Sequence, residues 1–123
     1  VAAIVAAFKA GDILLADWRG DALPKEPNKR RPAVVVEDEG LFAPDYPNVI
    51  LVPLSDDSRM VMQGLAVEIT PTPENGCSKT CWAVAHLVAA TSKRRVAGTG
   101  SRVTPVQLAA IRRLVATAVG VEV

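Results

Sequence analysis

A chain of 123 residues that is 50% hydrophobic and 22% charged is too apolar for a disordered tail and long enough to bury the core of one domain. Lys and Arg number 14 against 13 for Asp and Glu, so the net charge of +1 carries no argument about nucleic acid; only the distribution of charge can. No apolar stretch reaches the length of a membrane span, and the opening residues lack the basic leader and long apolar segment of a good secretory signal, so a cytoplasmic protein without a membrane partner is expected.

Residues 1–10 read as a short leader, possible as an alanine-rich helix, closed by Gly11. DILLADW, from Asp12, reads as a first strand. Residues 19–30, with two prolines, a glycine and alternating charges, form a loop of functional length expected to be mobile. PAVVV at 32–36 is a second strand with Pro32 at its first position, where a missing N–H is tolerated. NVILVPLS at 48–55 has the continuous apolar run of a central strand buried on both faces. Residues 61–70 read as a fourth strand with Gly64 as a bulge, and CWAVAHLV at 81–88 as a fifth. The tail is the clearest helix: Thr104 caps it, Pro105 opens it, Gln107 holds the capping-box position, and Val106, Leu108, Ile111, Leu114, Val115 and Ala118 form an apolar stripe up to Gly120. Strands joined by loops without helical crossovers predict a mainly β, α+β domain: a small curved antiparallel sheet or barrel with a C-terminal helix, spanning residues 1–123 as a single unit.

The cations cluster as Lys29, Arg30, Arg31, as Lys93, Arg94, Arg95, and as Arg112, Arg113; acids cluster at 37–39 and 56–57. If the second and third strands are antiparallel neighbours, Arg31 at the start of one faces Ser55 at the end of the other. A guanidinium and a hydroxyl so placed suit a phosphodiester: the first holds two phosphate oxygens and neutralises transition-state charge, and the second donates one more bond. The same residues also admit a structural reading, with Arg31 paired to Asp56 or to the 37–39 acids and Ser55 a turn residue. Trp18 and Trp82 offer plates for a nucleobase, although strand tryptophans more often pack in cores or interfaces. His86 falls at a core edge or interface, with acid–base work open to it only if it reaches a groove. Cys77 and Cys81, with the lone His86, supply too few ligands for zinc. Ser55, His86 and Asp17 could be assembled into a hydrolase triad, but GxSxG is absent, as are a P-loop, HExxH and GxGxxG.

Taken in order, GDILLADW at 11–18, KRRPAVVV at 29–36, NVILVPLS at 48–55, GLAVEI at 64–69, CWAVAHLV at 81–88, KRRVAG at 93–98 and the terminal helix resemble the PemK/MazF family of type II toxin–antitoxin toxins. The resemblance implies an SH3-like barrel, a homodimer, and a metal-independent endoribonuclease that needs no cofactor and cuts single-stranded RNA through its 2′-hydroxyl. It also implies inhibition by a cognate antitoxin whose disordered tail occupies the RNA groove. The family's catalytic arginine and its threonine or serine fall on Arg31 and Ser55. Arg19, Lys25, Lys29, Arg30, Trp18 and His86 are the expected RNA-binding residues. This chain departs from many relatives at residues 85–90, where His86 and Leu87 remain and Ala89 stands in place of a cation. The competing reading is a non-catalytic binding module or a CcdB-like gyrase inhibitor on the same fold.

Overall fold

The computed structural model describes residues 8–17 and 30–123. Its seven strands are β1 (Asp12–Asp17), β2 (Arg30–Val35), β3 (Asn48–Ser55), β4 (Ala66–Ile69), β5 (Cys81–Val84), β6 (Ala89–Ser92) and β7 (Val96–Arg102), followed by one helix, α1 (Pro105–Ala118). All the pairings are antiparallel, in the order β4-β5-β3-β2-β1-β7, with β6 also pairing β3. The expected mainly β architecture with a C-terminal helix is therefore found.

β3 organises the sheet. Between Leu54↔Ala83 and Leu51↔Ala89, three steps along β3 match six along its partner segment. The surplus is taken up in a 3-10 turn at Ala85–Leu87, which divides the expected fifth strand of residues 81–88 into β5 and the start of β6. The expected fourth strand is likewise shorter: Gly64, at φ +83°, lies in a turn closed by the Leu65 N–H donating to the Met62 carbonyl at 3.0 Å, ahead of β4 and not as a bulge within it. β7 has no strand-like pattern in the sequence. Its two glycines and polar residues are held by pairing with β1, and Thr99 Oγ1 donates to the Ile13 carbonyl at 2.6 Å where that register shifts.

The apolar runs of β1, β2 and β3 are buried on both faces because their side chains alternate between two clusters. Ile13, Val34, Val36, Val52 and Leu54 join Ile69, Ala83, Val103 and Ile111 of α1. Leu14, Ala16, Ala33, Val35, Val49 and Leu51 form the second cluster, with Phe8, Ala89 and Val96 against it. Burying one such side chain contributes about 1.5–3 kcal/mol, so β2 and β3 anchor whatever their ends carry.

α1 begins as its sequence signals. Thr104 Oγ1 accepts the Gln107 N–H at 3.1 Å and Gln107 Oε1 accepts the Thr104 N–H at 2.9 Å, so both ends of the capping box close. Ile111 is fully buried, and Leu108 and Val115 pack against the first cluster. Val106, assigned to the apolar stripe by its spacing, is 80% exposed in the first turn. Arg112 fastens the helix to the end of β2, donating from Nε to the Val36 carbonyl at 2.9 Å and from an Nη to the Glu37 carbonyl at 2.8 Å.

Candidate functional site

The β2–β3 ladder runs through Ala33↔Pro53, Val34↔Val52 and Val35↔Leu51. The antiparallel pairing expected of these neighbours is found, but no Arg31–Ser55 pair belongs to the ladder. The ladder itself stops at Ala33. Beyond it, Leu54 and Ser55 turn to pair with Ala83 and Trp82 of β5, while Arg30, Arg31 and Pro32 pair with Asp17, Ala16 and Leu15 of β1. Two neighbouring strands thus part company at this end of the sheet. Pro32 belongs here for a physical reason: it has no N–H to give to a ladder, and the pairing with β3 begins only at the next residue. The strand also starts two residues earlier than the sequence suggests, so Arg30 and Arg31 are held by β2 rather than by the preceding loop.

Where the strands separate, a groove of about 420 Å³ opens. Its floor is apolar, with Ile13, Leu15 and Leu54; Arg30, Arg31 and Pro32 form one side and Asn75, Gly76, Ser78 and Lys79 the facing side. Ser55 is 6% exposed and flanked by Leu54 and Asp56, which both line the groove. Its Oγ accepts the Asp57 N–H at 3.1 Å, a bond that uses one acceptor position and orients the hydroxyl.

Among the described residues Asp56 is the one carboxylate on the groove lining, and Lys79 holds it through an ion pair at 2.5 Å. The Lys79 bond and charge keep the Asp56 carboxyl below the usual carboxylate range, with the positive charge of Arg31 adding a smaller contribution. The ammonium of Lys79 is raised by the same pair. Asp56 is thus partnered chiefly by Lys79. The acids at 37–39 are engaged elsewhere: Glu37 Oε1 accepts the Ile50 N–H, Asp38 Oδ1 the Gly40 N–H, and Glu39 Oε1 the Ala10 N–H.

The facing side of the groove is built around Asn75, which is 3% exposed. Its Oδ1 accepts the N–H groups of Thr72 and Cys77, both at 3.0 Å, and its Nδ2 donates to the Thr70 carbonyl at 2.8 Å. The side chain thereby closes the β4–β5 connection on itself. Gly76 follows at φ +65°, and a Cβ there would stand 2.6 Å from Ser101 Oγ of β7, so a side chain at this position would displace the Ser101 hydroxyl and sit in a left-handed backbone conformation. Cys77 and Cys81 continue this wall of the groove, unbridged, with sulfurs 3.9 Å apart. Burial first, and then the neighbouring Cys77, push the Cys81 thiol up to about 12.

Among the expected RNA-binding residues, Arg30 lines the groove, whereas Trp18, Arg19, Lys25 and Lys29 lie outside the described residues. His86 sits in the 3-10 turn at Ala85–Leu87, an element that packs against α1, and is not part of the groove lining. Trp82 is level with Ser55 on β5. Asn75, Lys79, Thr99 and Ser101 were not singled out from the sequence. The Asn-Gly pair at 75–76 does signal a turn, but no local pattern says that this turn packs beside the start of β2. Among the described residues no group of three or more His, Cys, Asp or Glu is placed to hold a metal ion, and no helix is long and apolar enough to cross a membrane.

Comparison with solved structures places this fold. A crystal structure of MazF (Form-I) from Deinococcus radiodurans superposes with a TM-score of 0.68 at 19% identity, covering 94% of this chain and 98% of that one. An endoribonuclease from a mycobacterial species gives 0.66 at 16% identity, with 97% of each chain covered. An endoribonuclease in complex with its cognate antitoxin, also mycobacterial, gives 0.62 at 16% identity over 95% and 97%. At such identities the likeness establishes the fold. A search of curated proteins gives no significant match. The family description "PemK-like, MazF-like toxin of type II toxin-antitoxin system" matches residues 9–119, nearly the whole chain, and the protein belongs to that family.

Proposed function

We propose that this toxin is an endoribonuclease that cleaves single-stranded RNA in the groove between the parted ends of β2 and β3, without a metal ion. The observation that carries this reading is the parting of β2 and β3 beyond Ala33↔Pro53, with Arg31 on the groove that opens there and Ser55 at the end of β3 beside it. Family membership supports the same reading, as do structural neighbours described as endoribonucleases.

In the proposed reaction the ribose 2′-oxygen attacks the adjacent phosphorus, the bond to the 5′-oxygen breaks, and the 2′-oxygen loses a proton while the departing 5′-oxygen gains one. The products are a 2′,3′-cyclic phosphate and a 5′-hydroxyl. The nucleophile belongs to the substrate, so the protein's task is to hold the phosphate and stabilise the charge that grows on its non-bridging oxygens. Arg31 offers two parallel N–H bonds and a permanent positive charge for this; Ser55 adds a neutral donor. Arg30 and Lys79 serve the flanking phosphates, and the apolar floor of Ile13, Leu15 and Leu54 receives an unstacked base.

The working form is a homodimer. The side chains of Leu41, Tyr46, Met62 and Val106 are exposed apolar surface that a second copy can cover. Inhibition is by a cognate antitoxin whose acidic, apolar tail competes with RNA for the groove; a mycobacterial neighbour is described as an endoribonuclease in complex with its cognate antitoxin. The test of the reaction is incubation with a long unstructured RNA in EDTA, followed by analysis of the fragment ends. Cyclic phosphates and 5′-hydroxyls are expected; cleavage that requires Mg²⁺ and leaves 5′-phosphates overturns the mechanism, and intact RNA with an inhibited topoisomerase overturns the activity.

A further inference from the structure

We propose that Cys77 and Cys81 form a reversible modification site, a dithiol that closes to an intramolecular disulfide in the groove wall and weakens RNA binding. The effect on RNA rests on the functional reading above; the disulfide itself does not. The two sulfurs are 3.9 Å apart and both residues line the groove. The chemistry of RNA cleavage gives neither thiol a role, and with too few ligands for a metal around them among the described residues, a pair of adjacent thiols opening onto a groove is left for redox chemistry.

The two cysteines differ in a way that divides the work. Cys77 is half-buried, lies in the turn outside any strand, and faces the groove. Cys81 is buried and fixed as the first residue of β5, paired with Ile69, and its thiol is held strongly protonated by that burial. Cys77 is therefore the first to meet an oxidant. With a peroxide as co-reactant, the Cys77 sulfur takes one peroxide oxygen as a sulfenic acid and the other leaves as water with the thiol proton. The Cys81 sulfur then displaces the sulfenic hydroxyl, forming the S–S bond, and its proton departs with that hydroxyl as a second water. Two thiols are oxidised and one peroxide is reduced to two waters. A thiol reductant reverses the step by exchange.

Closure has a mechanical consequence because the sulfurs must approach to about 2.05 Å. Cys81 is tied into the β4–β5 ladder, so the movement falls on Cys77 and on the residues between them, which include Ser78 and Lys79 of the groove wall. Lys79 is the residue that neutralises Asp56, next to the field of Arg31. Drawing Lys79 away leaves a bare carboxylate on the phosphate-binding side of the groove, and RNA affinity falls.

The test treats the purified full chain with hydrogen peroxide, maps the cysteines by mass spectrometry of non-reduced peptides, and measures binding of a single-stranded RNA oligonucleotide before and after. The expected product is a Cys77–Cys81 cross-link, two hydrogens lighter, that dithiothreitol reverses. Cys81→Ser should instead let a dimedone probe trap sulfenic acid at Cys77, and RNA binding by Cys77→Ser should be unaffected by peroxide. Binding by the oxidised wild type is expected to weaken several-fold and to recover on reduction. Cross-links only between molecules, or over-oxidation of Cys77 with Cys81 still free, overturn the modification site. A mapped intramolecular disulfide with unchanged RNA binding overturns its regulatory effect. Failure of the reduced protein to bind RNA at all refutes the RNA reading, and with it the regulatory effect, while the mapping alone decides the disulfide.

Discussion

Lys79 and Asp56 meet at 2.5 Å on the wall of the groove that Arg31 also lines, so the one carboxylate among the described residues of that lining is neutralised by a lysine from the facing turn. A phosphate entering beside Arg31 therefore meets a balanced pair rather than a bare negative charge. Asp56→Asn should release Lys79 for a phosphate contact, tighten binding of single-stranded RNA and steepen the slope of log affinity against log salt by about 0.7. Lys79→Ala should weaken binding. Fluorescence anisotropy across a salt series checks both, and a slope that is the same in all three proteins would remove Lys79 and Asp56 from the interface.

The same pair sets a pH dependence. Because Lys79 lowers the folded-state pKa of Asp56, the pair's contribution to stability is fully present above the unfolded carboxylate value and is lost as pH falls through the lowered folded value. Acid unfolding curves of wild type and Asp56→Asn should accordingly differ above the ordinary carboxylate range and converge as pH falls below it. Both partners are largely exposed, so the difference is small and salt-sensitive. Curves that diverge further on acidification would contradict the assignment.

Asn75 holds the facing wall through three hydrogen bonds from a buried side chain. Asn75→Ala leaves the N–H groups of Thr72 and Cys77 without that acceptor and should destabilise the protein by about 2 kcal/mol. Chemical denaturation measures this directly. A loss below a few tenths of a kcal/mol would mean that water replaces the side chain and that the turn does not depend on it.

Gly76 tests the fit of that turn against β7. Alanine there meets Ser101 Oγ at 2.6 Å in a left-handed backbone conformation, and Gly76→Ala should destabilise by about 1–2 kcal/mol. Ser101→Gly in the same chain should recover only the steric part, because the strain of φ +65° remains. Full recovery in a double-mutant cycle would show the backbone to be unstrained.

Much of this site was legible before any coordinates because its parts sit on elements with strong local signals. The valine run of β2 and the apolar run of β3 can only be buried strands, and Arg31 and Ser55 lie at the ends of those runs where the antiparallel pair opens. The capping box of α1 was readable for the same reason: a short-range bond pattern written in Thr104, Pro105 and Gln107. β7 was not readable, since VAGTGSR has no alternation and is a strand only because β1 offers it a partner. The break at Ala85–Leu87 was hidden because the need for it arises in the curvature of β3, not in the residues that turn. Lys79 and Asn75 escaped notice because a turn following Pro71 and Pro73 looks like any other loop until it folds across the sheet end.

Arg31→Ala tests the central claim most directly, measured as the single-turnover cleavage rate of a defined RNA in EDTA alongside the thermal midpoint, with Ser55→Ala in parallel. The account predicts that Arg31→Ala lowers the rate by at least about a hundredfold, far beyond what any accompanying shift of the midpoint accounts for, and that Ser55→Ala, which removes one neutral donor, lowers it less. Cleavage at the wild-type rate by Arg31→Ala, or a loss of cleavage that only tracks a collapse of the midpoint, would contradict it.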